Sequence, residues 1–468
     1  MDTAEAAEFA QDGILRRQSL RESAARTYAR SLPIVPVRAR GLTIEGADGQ
    51  RYLDCLSGAG SLALGHNHPV VLEAIRAVLD SGAPLQVLDL ATPVKDAFVS
   101  ELFRTLPREL ADRGRVQFCG PAGADAVEAA LKLVRTATGR RGLLSFSGAY
   151  HGMTEGALEA SGGAQDVRVV RLPYPYNYRC PFGIGGERGA ELSARWTASL
   201  LDDPKSGVQP PAGMILEPVQ GEGGVIPAPD SWLRRMRELT AVRGIPLIAD
   251  EVQTGVGRTG AFWAVEHSGI VPDVMVLSKA VGGSLPLAVV VYRDELDTWQ
   301  PGAHAGTFRG NQLAMAAGAA TLAYVRENGL AERAAALGNR MLAQLRQLAE
   351  QQPCIGEVRG RGLMIGVELV DAEADGDASG GGRPAAPELA AAVQRQCLSR
   401  GLIVELGGRH GSVVRLLPPL TITDEQTEVV LDRLSDAIVT AARAPVREQA
   451  RGGADARVPR GPSPNVHR

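Results

Sequence analysis

Between residues about 90 and 330 the chain keeps returning to short runs that are apolar at odd and even positions alike: GLLSFSG, GMILEPV, IPLIADEV, VMVLSK and LAVVVY. Side chains of a strand point alternately to its two faces, so such a run has no face left for water. Strands of this kind belong to a mainly parallel sheet covered by helices on both sides, and longer helical patterns alternate with them here. The expected fold is therefore α/β. A large domain over 91–330 carries the sheet, and a smaller α+β domain is built from 331–445 together with the N-terminal segment 1–90. Within that segment, LTIEGADGQRYLDCL reads as two short strands around a D-G turn. DAEADGDASGGGRPAAP reads as a flexible surface loop, and the Arg-, Gly- and Pro-rich stretch 446–468 as a disordered tail.

The bulk composition removes several functions. Of 468 residues 44% are apolar and the net charge is −3, so nucleic acid and anionic membranes are not expected partners. No apolar run approaches the roughly 20 residues that cross a bilayer. The N-terminus lacks the apolar core of a secretion signal, which points to the cytoplasm. Cys55, Cys119, Cys180, Cys354 and Cys397 form no C-x-x-C pair and read as free thiols. In GHNHP, His66 and His68 read as a turn before a helix starting at Pro69, and no metal site is expected.

One detail of composition bears on chemistry. Of 50 lysines and arginines only four are lysines: Lys95, Lys132, Lys205 and Lys279. Lys279 sits between two apolar runs, in VMVLSKAVGGSLPLAVVV. Either the strand stops before it and the amine meets solvent, or the amine is aimed into a pocket. A desolvated lysine loses its proton readily and forms Schiff bases. Lys132 stands four residues after Glu128 on a helical face, the spacing of a surface ion pair.

Other candidates fall at strand ends, where ligands collect in open α/β sheets. Asp250 closes IPLIAD; a carboxylate there needs a partner, either a protonated pyridine nitrogen or an arginine. CGPAGADAVEAALK joins a glycine turn at Gly120 and Gly123 to a helix start, which suits a phosphate or is only a turn. Tyr150 in SGAYHGM could cover a flat ring or pack in the core. Glu217 and Glu222 follow a strand in LEPVQGEGG. Arg415, in VVRLLPP, is either a reader of a substrate carboxylate or an ordinary ion-pairing residue.

Together GAGSLALGHNHP, CGPAGADAVEAALK, AYHG, EPVQGEGG, DEVQTGVGRTG, LSKAVGG, HAGTFRGNQLA and VRLLPPL resemble the class III pyridoxal-phosphate aminotransferases of fold type I, in family order over residues 40–420. Within that class, LDLATPVKDAFVSELF, LPYPYNYRCPFG and the long stretch after Lys279 look like the diaminobutyrate–2-oxoglutarate transaminases, including those of siderophore pathways. The resemblance implies pyridoxal 5'-phosphate as cofactor. It implies that Lys279 holds the cofactor's aldehyde and moves a proton between the substrate Cα and C4′. Asp250 would pair with the pyridine nitrogen, Gln253 lie near O3′ and Tyr150 stack on the ring. Gly123 and Ala124 would give backbone N–H groups to the phosphate. Thr307 would reach the phosphate of a neighbouring subunit, making a homodimer with shared active sites. Arg415 would take the α-carboxylate of glutamate or 2-oxoglutarate, with Glu222 pairing to it when an ω-amine is admitted.

The chain departs from the ornithine-type pattern at Met153, where those relatives carry an arginine that reads the distal carboxylate, and PAG at 121–123 lacks a hydroxyl before the glycine. The expected reaction passes an amino group between L-glutamate/2-oxoglutarate and L-aspartate 4-semialdehyde/L-2,4-diaminobutyrate. The alternatives are another ω-amine or semialdehyde transaminase, a racemase or aminomutase on the same scaffold, and a non-catalytic pyridoxal-binding protein.

Overall fold

A computed structural model describes residues 3–162, 168–376 and 382–443. The tail 446–468 lies outside the described residues, as does the 377–381 part of the glycine-rich loop.

The centre is a seven-stranded sheet of β1 (Gly114–Phe118), β2 (Leu143–Phe146), β3 (Val169–Leu172), β4 (Gly213–Leu216), β5 (Leu247–Asp250), β6 (Val274–Leu277) and β7 (Val289–Arg293). Its order is β1-β7-β6-β5-β4-β2-β3. β2, β4, β5 and β6 are buried at every position. Their alternate residues feed two separate cores. Leu247, Ala249, Met275 and Leu277 join Trp232, Trp263 and Phe98 on one face, and Ile248, Val274 and Val276 join Leu131, Leu133 and Val134 on the other. This is why their sequences show no alternation.

The sheet is mainly parallel, but β7 runs antiparallel to both of its neighbours, β6 and β1. The link from β6 to β7 covers only residues 278–288, too short for the dozen or more residues of a parallel crossover.

Both ends of the chain supply two further sheets. Pro36–Arg40, Thr43–Gly46 and Arg51–Asp54 form a sheet with Leu402–Ile403, which pairs in parallel with Arg51–Asp54. A further antiparallel sheet contains Ile355–Arg361, Met364–Leu369, Val413–Leu416 and Glu405–Gly407, in that order. Among the described residues no helix is long and apolar enough to cross a membrane.

Candidate active site

Five segments converge just past the carboxyl edge of the central sheet: β1 leads to Gly123, β2 to Tyr150, β4 to Glu217, β5 ends in Asp250 and β6 leads to Lys279. That edge is where an open α/β sheet leaves backbone dipoles and loops free to hold a ligand. A cavity of about 330 Å³ opens there, lined among others by Gly123, Ala124, Tyr150, Glu222, Asp250, Gln253 and Lys279.

Lys279 has a left-handed backbone, with φ +51°. For a residue with a long side chain this is strained by roughly 1–3 kcal/mol and persists only where the surroundings enforce it. Here the hydroxyl of Ser278 donates to the carbonyl of Leu287 at 2.8 Å, and the turn ends at Gly283 with φ +57°. Burial lowers the amine's pKa below the ordinary lysine value; Glu222 opposes the drop and Arg415 adds to it. The amine is thus eased toward its neutral, nucleophilic form.

Asp250 is buried. Its Oδ2 lies 2.7 Å from Nδ1 of His151, and its Oδ1 accepts the N–H of Val252 at 3.1 Å. Burial pushes the His151 pKa down, but the hydrogen bond and charge of Asp250, with Glu217 behind them, outweigh it and leave the imidazole above its usual value. Glu217 accepts the backbone N–H groups of Tyr150 and Gly221, both at 3.1 Å, so one buried carboxylate ties together the two loops that carry Tyr150 and Glu222. Burial raises its pKa to about 7.

Arg415 is completely buried and held in a bidentate fork by Glu222, with Nη1–Oε1 at 3.0 Å and Nη2–Oε2 at 2.7 Å. A second carboxylate, Glu405, stands 2.7 Å from Nη2 and accepts the Tyr28 hydroxyl at 2.9 Å.

The residues present fit pyridoxal phosphate. Lys279 offers an amine and Asp250 a buried carboxylate in one cavity. Gln253 Oε1 is buried with no partner of its own. Gly123 and Ala124 open the helix Gly123–Thr138, where N–H groups lack intrahelical acceptors and favour an anion. A Cβ on Gly123 would stand 3.0 Å from Val252 Cγ1, tight enough that Val252 would have to shift by a few tenths of an ångström, so the helix start lies close against the segment after β5. Tyr150 lines the same cavity and remains 43% exposed.

Thr307 is not in this cavity. It lines another, of about 870 Å³, together with Leu88, Lys95, Phe118, Trp299 and Arg309. The Glu128–Lys132 pair expected from spacing is not formed. Glu128 accepts the N–H groups of Gly156 and Ala157 at the start of the helix Glu155–Ala160, and Lys132 donates to the carbonyl of Ala303. Four cysteines are buried and Cys180 partly so, all as free thiols. Among the described residues no cluster of three or more His, Cys, Asp or Glu could hold a metal ion.

The sequence reading gave no part to His151 or Glu405. His151 meets Asp250 across 99 residues, and nothing local signals that. Glu405 could have been found, because VELGGRHGSVVRL has the form of two strands around a glycine-rich turn, and in that hairpin Glu405 faces Arg415.

A neighbouring carboxylate gives a pH test. Glu251 is buried, accepts the N–H of Val265 at 2.9 Å, and has its pKa raised by burial from 4.5 to about 7. The folded chain then keeps this proton up to about pH 7, whereas the unfolded chain releases it at the ordinary carboxylate value. The contribution is therefore whole at low pH and lost as pH rises through 7. Glu251→Gln removes the dependence: relative to the native chain it gains roughly 3 kcal/mol at most between pH 5 and 8. Urea melts of both proteins at the two pH values check this, and an unchanged difference refutes it.

Residues 24–438 match the family model "Aminotransferase class-III". The chain is 56% identical to the diaminobutyrate–2-oxoglutarate aminotransferase of Rhizobium meliloti, covering 91% of this chain and 92% of that protein. It is 50% identical to the enzyme of the same name from Haemophilus influenzae, over 92% and 95%. Among solved structures, a PLP-bound amine transaminase from an uncultivated Pseudomonas species superposes with a TM-score of 0.78 at 30% identity, over 90% of this chain and 98% of that one. A lysine placed past β6, a carboxylate ending β5 and a family match over most of the chain lead to one assignment: the chain belongs to the class III aminotransferases, which work with pyridoxal phosphate.

Proposed function

We propose that the protein is a diaminobutyrate–2-oxoglutarate transaminase, exchanging the amino group of L-glutamate with the aldehyde of L-aspartate 4-semialdehyde, and the reverse. The observation that carries this reading is the bidentate Glu222–Arg415 pair beside Lys279. With the pair closed, the guanidinium is neutralised and an ω-amine can enter carrying no carboxylate at that end. With it open, Arg415 offers a fork to the α-carboxylate of glutamate. The relatives at 56% and 50% identity carry this activity in their names.

Bound pyridoxal phosphate supplies an electron sink for the carbon that loses its proton. The chain's own residues do the rest. Lys279 would hold the cofactor through its amine and carry the proton that leaves the substrate Cα. Asp250 keeps the pyridine nitrogen protonated, and His151 fixes the carboxylate that does so. Gly123 and Ala124 would hold the phosphate by their N–H groups, with Tyr150 and Gln253 in the same cavity to hold the ring. Thr307 serves a neighbouring subunit in a homodimer. Its place outside the lining of the chain's own cavity, and the exposed Leu88 and Phe308 beside it, favour that role. Residues 91–330 act as the cofactor-binding domain and 1–90 with 331–445 as the smaller one.

The test is coupled turnover with 2-oxoglutarate. Diaminobutyrate should exceed ornithine, one methylene longer, by about tenfold or more in kcat/KM, and 4-aminobutyrate, which lacks the α-amine, by more. A preference for either competitor removes the assigned substrate while leaving the transaminase class intact.

A further inference from the structure

The two carboxylates on Arg415 are mounted differently. Glu405 stands on the strand Glu405–Gly407, directly opposite Arg415 in the antiparallel register, and its side chain is 9% exposed. The Tyr28 hydroxyl holds its other oxygen. Glu222 stands in a loop with glycine at 221, 223 and 224, lines the cavity, and is 32% exposed. One carboxylate is carried by a strand, and the other by a glycine-rich loop that lines the cavity.

Glu222 must leave if a substrate carboxylate is to reach Arg415. A buried guanidinium left with no counter-charge would be strongly destabilised and free to follow the departing glutamate. We infer that Glu405 is the positioning residue that keeps Arg415 aimed at the cavity while Glu222 gives way to glutamate or 2-oxoglutarate, with Tyr28 holding Glu405 in turn. This rests on the proposed roles of Arg415 and Glu222. The charge count supports it: Arg415 faces two carboxylates before the exchange, Glu222 and Glu405. It faces two again afterwards, the substrate's and Glu405, so the guanidinium is never without a carboxylate partner during the exchange. A diamine that enters with the Glu222–Arg415 pair closed makes no demand on Glu405.

The two half-reactions separate these roles. Holoenzymes of Glu405→Gln, Tyr28→Phe and Arg415→Gln are mixed in single turnovers with glutamate and, separately, with diaminobutyrate, following the cofactor absorbance. Glu405→Gln should lose about 10- to 100-fold in kcat/KM for glutamate, because Arg415 then loses the negative charge 2.7 Å from its Nη2, mainly through KM. Diaminobutyrate should change by no more than about twofold, and Tyr28→Phe should show the same split at smaller size. Equal loss with both substrates means a structural role only, and no loss with either means no role; both overturn the inference. Tyr28→Phe decides alone if Glu405→Gln does not fold, an unchanged glutamate-to-diaminobutyrate ratio counting against it. If Arg415→Gln spares glutamate, the parent reading of the arginine falls; if Arg415→Gln loses glutamate and Glu405→Gln does not, only the role of Glu405 falls.

Discussion

Lys279→Ala is expected to reduce turnover of diaminobutyrate with 2-oxoglutarate by about 10⁴-fold or more, because one side chain provides both the covalent hold on the cofactor and the proton carrier. Its absorption spectrum should lose the band that depends on the lysine amine, even with pyridoxal phosphate added in excess. No other lysine is placed to substitute. Lys95 donates to the carbonyl of Asp89 and Lys132 to that of Ala303, while Lys205 is exposed in a loop, so Lys205→Ala should match the native enzyme. Activity in Lys279→Ala within about tenfold of native would reassign the chemistry entirely.

Asp250→Asn keeps the shape and removes the charge. Loss of a buried charge aimed at a developing one in the transition state costs about 10²- to 10³-fold in kcat, and that is the fall expected here. A second readout is independent of turnover. The hydrogen bond and charge of Asp250 are what lift His151 against its burial, so in Asp250→Asn the imidazole should titrate at lower pH, as followed by NMR of the histidine ring. A kcat within tenfold of native together with a shifted His151 would make Asp250 a structural partner of the histidine and nothing more.

What could be read in the chain before its structure follows from where each signal resides. The central strands announce themselves because burial on both faces leaves a local mark: β5 and β6 are apolar at every position before Asp250 and Lys279. The reversal of β7 leaves no mark in its own residues, Val289 to Arg293, which would suit either direction; only the eleven-residue link before it carries that information. Pro36–Arg40 and Ile355–Arg361 escaped notice because exposed and partly buried arginines and glycines interrupt their apolar pattern. At the site, Lys279 was visible as a rare amine in an arginine-rich chain. The Glu222–Arg415 fork was not, since its members are 193 residues apart and only resemblance to relatives suggested it. The spacing of Glu128 and Lys132 misled for the opposite reason. A good local pair was displaced when tertiary packing offered Glu128 two backbone donors.

The parallel pairing of Leu402 with Leu53 has a consequence for biosynthesis. Roughly 350 residues must emerge from the ribosome before the first strands receive their last neighbour, a delay of about 20 to 70 s at typical translation speeds. The seven-stranded sheet, complete by Arg293, can form during that interval. The opening strands meanwhile present an unsatisfied edge, so a nascent chain halted before residue 402 should be captured by chaperones through its first sixty residues.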